Sequence, residues 1–472
     1  MTATGLTRPG SQRCGAFMSQ WSDAESHAER AREFYQSGQW DKALFELQAA
    51  LDVNPDQSDW HFGMGLTLDA MHRYREAITS FEAALRLRGH DLETMLHLAV
   101  DLIRNQEPQR AVTLLEQVNA IDPACESGYC YRIAAYAQMG DHDQAEVMFY
   151  LARQVEEACP HCYEHLAHSL ATRGELERAI WCWQQVVQLD PQFPQVHANL
   201  ARGHWKRGQM ERAKDYYLQE LRQSPGDIGV LMELGDLLVE MDQPAEATEK
   251  FRRALELAPP GVPGAAAAAH LRLGELALAA GHLDAAEVEL ERAQRQAADL
   301  PGLRLRLAQV AQQRGRLAKA LELLSGDIEA GHLGPSQSLE AARMLIELHK
   351  PRLARQLLAA QLQAAAALPQ HEEYRATLLR YRGVAWILER RLDRGIADCR
   401  AALRLAPRDT MAMYNLVLAY AELGRFGRAW FWLRQALEVS PQDASFRQLR
   451  FRLRLAQLRS WLRQGRRMLL GR

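Results

Sequence analysis

Seven cysteines spread over 472 residues are too sparse for a disulfide framework. No apolar run approaches the roughly 20 residues that cross a bilayer. The opening MTATGLTRPGSQRCGAF lacks the apolar core of a secretory signal, so the cytoplasm is the expected compartment. Residues 1–23 read as a disordered leader, with Met18 as an alternative start. Charge of either sign is barely in excess, at a formal −2, and gives no general pull towards nucleic acid or anionic membrane. Aromatics make up only 7%, so few positions can anchor a core on large rings. No Gly-rich phosphate loop, nucleophile elbow or paired-carboxylate motif stands out. No enzyme, cofactor or small-molecule substrate is therefore expected.

What the chain has is periodicity. From Ala43, steps of 34 reach Ala77, Ala111, Ala145, Ala179, Ala213 and Ala247 without a miss. After a longer step come Ala286, Ala320 and Ala354, and after another Gly395 and Ala429. A second small-residue series runs twelve positions earlier, through Ala31, Gly65, Ala99, Ala167, Ala201 and Gly235, with Ile133 as an exception. It resumes at Gly274, Ala308, Ala342 and Gly383, with Val417 as another exception. Between the two series a glycine recurs: Gly38, Gly140, Gly174, Gly208, Gly281, Gly315 and Gly424. Bulky residues such as Leu47, Phe81, Phe149, Trp183 and Phe251 follow four positions after the alanines, and many units close on proline.

Each unit is thus predicted to be two helices joined by a short turn, with proline stopping the second helix. The small residues let the helices approach, and stacked units bury what one pair cannot. The pattern over residues 24–443 resembles the tetratricopeptide repeat family in unit length and in its small, large and proline marks. That resemblance implies an all-α solenoid of about twelve stacked helix pairs. The units near residues 335–375 match weakly.

Two insertions break the period, one at PPGVPGA from Pro259 and one at AAAALPQHEEY. The first suggests an array of seven repeats over residues 24–264 and one of five over 265–443. Residues 444–472 carry nine arginines, against the single acid Asp443 just ahead of them, and are expected to form a basic capping helix. A basic docking segment is the other reading.

The stretch CPHCYEHLAHSL, residues 159–170, has the residue types of a chemical site. Helical spacing places Tyr163, Leu166, Ala167 and Leu170 on the core face, with His161, His165 and His168 nearly opposite. Zinc could take Cys159, Cys162 and His165, with Cys125 from the preceding unit. But Cys125 and Cys159 are stacked equivalents, about 8–10 Å apart. A redox couple would use the lowered thiol pKa of a helix N-terminus, yet no strand–helix alternation surrounds it. The favoured reading leaves Cys159 and Cys162 as structural junction residues, without metal.

The family resemblance implies a concave groove lined by the first helix of each pair, where relatives bind partners. On this chain that strip contains His97, Tyr131, His161, His165, His168, Asn199, Arg202, Trp205, Glu233, Arg272, Arg306 and Asn415. Asn199 and Asn415 stand where relatives often hold a peptide backbone. The cationic clamp of chaperone-tail-binding relatives is absent, since Glu164, His168 and Glu233 occupy its places. The leading expectation is a non-enzymatic scaffold binding a protein or peptide in this groove. The alternatives are an RNA-binding helical repeat, supported only by the arginine-rich tail, and a metal or redox sensor centred on Cys159 and Cys162.

Overall fold

The computed structural model describes residues 11–156, 159–259, 263–331, 333–366 and 372–469. Among these are twenty-five α-helices and no strand. The chain divides into two compact units, residues 1–242 and 243–472.

The first unit opens with α1 (Ser11–Gln36), α2 (Trp40–Val53), α3 (Ser58–Ala70) and α4 (Tyr74–Leu87). It continues with α5 (Leu92–Arg104), α6 (Pro108–Ile121), α7 (Glu126–Gln138), α8 (His142–Val155) and α9 (Pro160–Arg173). It ends with α10 (Leu176–Leu189), α11 (Val196–Lys206), α12 (Met210–Gln223) and α13 (Ile228–Glu240). The second unit starts with α14 (Pro244–Leu257), α15 (Pro263–Ala279), α16 (Leu283–Gln296), α17 (Leu303–Gln313) and α18 (Leu317–Ala330). Then follow α19 (Pro335–Glu347), α20 (Pro351–Ala366), α21 (Glu372–Leu388) and α22 (Leu392–Leu405). It closes with α23 (Thr410–Glu422), α24 (Phe426–Val439) and α25 (Ala444–Leu469).

Within each unit, nearly all helices pack on their sequence neighbours, and many odd-numbered helices, α5, α7 and α9 most closely, also pack on one another. That is the stacking of a solenoid. The small residues lie at the closest approaches: Ala43, Ala77, Ala111, Ala145, Ala179 and Ala213 are all fully buried. At Gly65 even a methyl group has no room, because an added Cβ would sit 2.5 Å from the Phe81 ring. Ile133 and Val417, which break the small series, are accommodated with no exposure at all. The weakly patterned region also folds as helices, with Ala341, Leu345, Ala354 and Leu358 in its core.

The turn inside each pair has one conformation throughout. All seven recurring glycines have positive φ, between 70° and 91°. Where glycine is missing, His72, Gln106, Asp242, His349 and Arg390 take the same left-handed backbone, at φ 57–66°. Within each unit the turn is therefore set by the packing of the pair, and glycine only relieves it.

Two boundaries differ from the sequence expectation. Residues 11–23, expected in a disordered leader, are helical, and no proline interrupts the run from Ser11 to Gln36. Residues 1–10 lie outside the described residues. The compact units divide between Asp242 and Gln243, ahead of the insertion at Pro259. The reason is that α14 packs on α15 across the insertion, so the Pro/Gly segment interrupts the sequence period without separating the helices it joins.

α25 covers the last pair. Phe446, Leu449 and Leu453 are buried among Leu416, Tyr420 and Leu433. Trp430 Nε1 donates to Gln457 Oε1 at 3.0 Å. Beyond that contact Leu458, Trp461 and Leu462 are exposed.

A carboxyl group of α5 is buried in the first unit. Asp101 on α5 is fully buried, bonded to Arg104 at 3.4 Å, and Arg104 also bonds Asp69 on α3. Asp101 Oδ2 has no hydrogen-bond partner. Burial, reinforced by the Asp69 charge and opposed by Arg104, pushes the Asp101 carboxyl up from 3.8 to about 7. The folded chain therefore holds a proton that the unfolded chain has released, and stability falls as pH rises through this window.

Three outcomes are expected. Ala179→Leu overpacks the contact of α9 with α10 and costs about 1–3 kcal/mol, read by chemical denaturation. Between about pH 4 and 7 wild type loses melting temperature relative to Asp101→Asn; parallel pH profiles for the two proteins would refute the buried-carboxyl account. A chain ending at Asp443 aggregates, whereas one ending after Gln457 stays monodisperse by light scattering.

Candidate functional site

The strip of first-helix residues is not a uniform solvated face. In the first unit it becomes a chain of contacts between neighbouring repeats. Asn199 Nδ2 on α11 lies 3.4 Å from His168 Nε2 on α9. Arg202 Nη1 donates to Asn199 Oδ1 at 2.7 Å, and Arg202 Nε donates to Glu233 Oε2 of α13 at 2.8 Å. Tyr217 donates its hydroxyl proton to the same Glu233 oxygen at 2.9 Å. Trp205 Nε1 donates to Glu240 Oε2 at 2.7 Å. His168, Asn199, Arg202, Trp205 and Glu233 are thus gathered across three successive first helices.

His168, Asn199 and Arg202 also share a cleft of about 170 Å³ with Trp183 and Lys206. The His168 ring meets the Trp183 ring edge to face at 5.7 Å. Asn199 is buried in its wall, His168 is exposed, and Lys206 is exposed beside them. The cleft therefore presents an amide, an imidazole and two cations beside an indole. The sequence reading missed Trp183 and Lys206 because Trp183 belongs to a second helix and Lys206 falls in the last turn of α11.

The three histidines of residues 159–170 separate. Glu164 lies between two of them, 2.9 Å from His165 Nδ1 and 2.6 Å from His168 Nε2. Although burial opposes it, hydrogen bonding and charge from the two imidazoles hold the Glu164 carboxyl well below its usual range. His161 is exposed and packs its edge on Phe193, at 5.0 Å. His165 lies 6.4 Å from the Tyr131 ring, and burial pushes the Tyr131 phenol up.

His97 is half-buried, stacked on Phe81 at 5.9 Å with Phe62 at its edge. Its ring serves packing. In the second unit Arg272 bonds Glu275 at 2.9 Å. Arg306 bonds Glu275 and Glu340, both at 2.7 Å. These cations are matched by carboxylates on successive first helices, so the strip there is an ion-pair ladder. Asn415 is half-buried on α23.

Cys159 stands at the helix junction where the sequence puts it, but the side chains around it differ from those the spacing points to. Cys159 caps the N-terminus of α9, and its sulfur accepts from the Cys162 backbone N–H at 3.3 Å. Cys162 Sγ lies 2.6 Å from Glu126 Oε1 of α7. Glu126, Cys130, Cys159 and Cys162 place one ligand atom each within 4.8 Å of all the others. The sequence points to Cys125 and His165 as further members. Neither joins, because equivalent positions on stacked helices stand apart, and His165 is turned to Glu164. Cys130 lies farther along α7, and its Cβ tilts back towards the helix N-terminus, where Glu126 and the α9 cap are. Glu126 and Cys130, four apart on one helix face, were the available signal.

The tetratricopeptide repeat family model matches residues 28–91, 62–125, 165–228, 232–301 and 389–444, together more than half of the chain. No curated protein matches it. Among solved structures, the thermophilic TPR protein TTC0263 of Thermus thermophilus is 23% identical, covering 39% of this chain and 100% of its own, with a TM-score of 0.37. The APC/C hetero-tetramer Cut9–Hcn1 is 14% identical, with 92% of this chain and 97% of the other covered and a TM-score of 0.44. YrrB, a TPR protein with an unusual peptide-binding site, is 17% identical over 39% of this chain and 94% of its own, with a TM-score of 0.32. The repeat series, the twelve left-handed turns and the family match agree: this chain belongs to the tetratricopeptide repeat family.

Proposed function

We propose that this chain is a non-enzymatic scaffold that takes an acidic segment of a protein partner into the cleft between α9 and α11. Tetratricopeptide arrays are in general protein-interaction scaffolds, and nothing in the sequence motifs calls for catalysis. The observation that carries the finer reading is the meeting of His168, Asn199, Arg202 and Lys206 around one cleft beside Trp183. Asn199 can bond a peptide amide, while Arg202 and Lys206 attract a carboxylate and the indole offers an apolar wall. Glu233 holds Arg202 in place through its Nε, so the guanidinium is oriented before a partner arrives. Arg272 and Arg306, matched to glutamates in their ladder, support packing in this reading.

The test is selection of displayed peptides on the purified full chain, followed by anisotropy titrations. Selected peptides carry Asp or Glu, and Arg202→Ala with Lys206→Ala weakens them roughly 10- to 30-fold. Arg306→Ala leaves the affinity unchanged. Selection of peptides without acidic residues, or equal binding by the double variant, would refute the cleft assignment.

A further inference from the structure

We infer that Glu126, Cys130, Cys159 and Cys162 form a four-ligand site for a zinc ion that ties α7 to α9. The inference is independent of the cleft, which these residues do not line.

The geometry comes first. The four ligand atoms lie within 4.8 Å of one another. A tetrahedral zinc with three sulfurs and one oxygen needs edges of roughly 3.5–3.8 Å, so the widest separations close by up to about 1 Å while the 2.6 Å contact of Cys162 with Glu126 opens by about as much. Two ligands come from each helix. Cys159 and Cys162 have the Cys-x2-Cys spacing that wraps a metal at a helix N-terminus, and Glu126 and Cys130 face it from one turn of α7. The first α9 ligand is the helix cap and the second lies one turn in, so the backbone fixes their separation.

Burial comes second. Cys130, Cys159 and Cys162 are 3%, 8% and 1% exposed. A single buried thiol behaves as a small apolar group and needs no explanation. Three that converge on a carboxyl do need one, because apolar packing gives no reason for Glu126 to be among them. Cys162 Sγ already lies 2.6 Å from Glu126 Oε1, and Cys159 Sγ is held at the mouth of α9 by the Cys162 backbone N–H. A divalent cation bound among them displaces the thiol protons to solvent and takes the electron pairs they held. The positive N-terminal ends of α7 and α9 meet here and offset the remaining negative charge.

Ligand chemistry selects the ion. Three thiolates with one carboxylate suit zinc, whereas calcium and magnesium take oxygen donors. No ligand position is left for substrate, so the ion is structural and clamps the fourth helix pair to the fifth.

The experiment uses the full chain purified under reduction from zinc-supplemented cells. Metal analysis gives about one zinc per chain for the wild type and for Cys125→Ser, whose thiol lies outside the group. Cys130→Ser and Cys162→Ser lose at least roughly tenfold in zinc content after chelator challenge, and Glu126→Gln loses it faster than wild type. Because a cysteine variant can fail to fold, the wild-type chain is also stripped and titrated with cobalt(II). It then shows thiolate-to-cobalt charge-transfer absorption and the intense visible bands of a tetrahedral ion. A wild-type chain that carries no zinc and gives only the weak spectrum of solvated cobalt overturns the site. So does isolation of a Cys159–Cys162 disulfide from protein kept under reduction, which would make the group a redox couple instead.

Discussion

Most of this molecule depends on how closely two helices can approach at a point where, Ile133 and Val417 apart, neither has a side chain larger than a methyl group. Where Ala179 or Gly65 sits, the facing helix comes near enough for Phe81 or its equivalent to fill the space alongside. The approach distance fixes the crossing of each pair, the crossing fixes the turn, and the turn forces one residue into the left-handed region. That twelve turns share this conformation, five of them without glycine, shows which element is cause and which is consequence. Packing imposes the turn even on Gln106 and Arg390, which have no intrinsic preference for it.

This hierarchy explains what could be read without coordinates. The interval of 34 and its small, large and proline marks are a one-dimensional record of the helix pair, so the solenoid was legible from Ala43 onward. The residues of the strip were legible as well, because helical spacing gives their direction. Their partners were not. Arg202 and Glu233 stand 31 residues apart, Arg306 and Glu340 stand 34 apart, and nothing in the period says which of these separations yields a contact. The cleft needed Trp183, which the strip cannot supply because it comes from a second helix.

The cysteine group makes the same point more sharply. Reading by the period pairs Cys125 with Cys159, two equivalents that stacking keeps apart. The actual neighbours are Cys130 and Cys162, brought together because side chains on a helix lean towards its N-terminus. The relevant quantity is the offset between adjacent helices, which the sequence repeats faithfully but never states. Around His165 the lesson is electrostatic. Three histidines within one helix look like one positive patch, but Glu164 joins two of them and Phe193 holds the third elsewhere.

The five turns without glycine also distribute backbone strain unevenly along the array. A left-handed residue with a side chain costs about 1–2 kcal/mol, less where Asp or His occupies the position. In a stack held by nearest-neighbour interfaces, that cost is not shared along the chain but stays with the pair that bears it. Pairs closed by Gly140, Gly174 and Gly208 are relaxed, whereas those closed by Gln106 and Arg390 are under strain. The array is therefore periodic in shape and uneven in local backbone cost, which falls on the turns of α5–α6 and α21–α22 while the glycine-closed pairs are spared it.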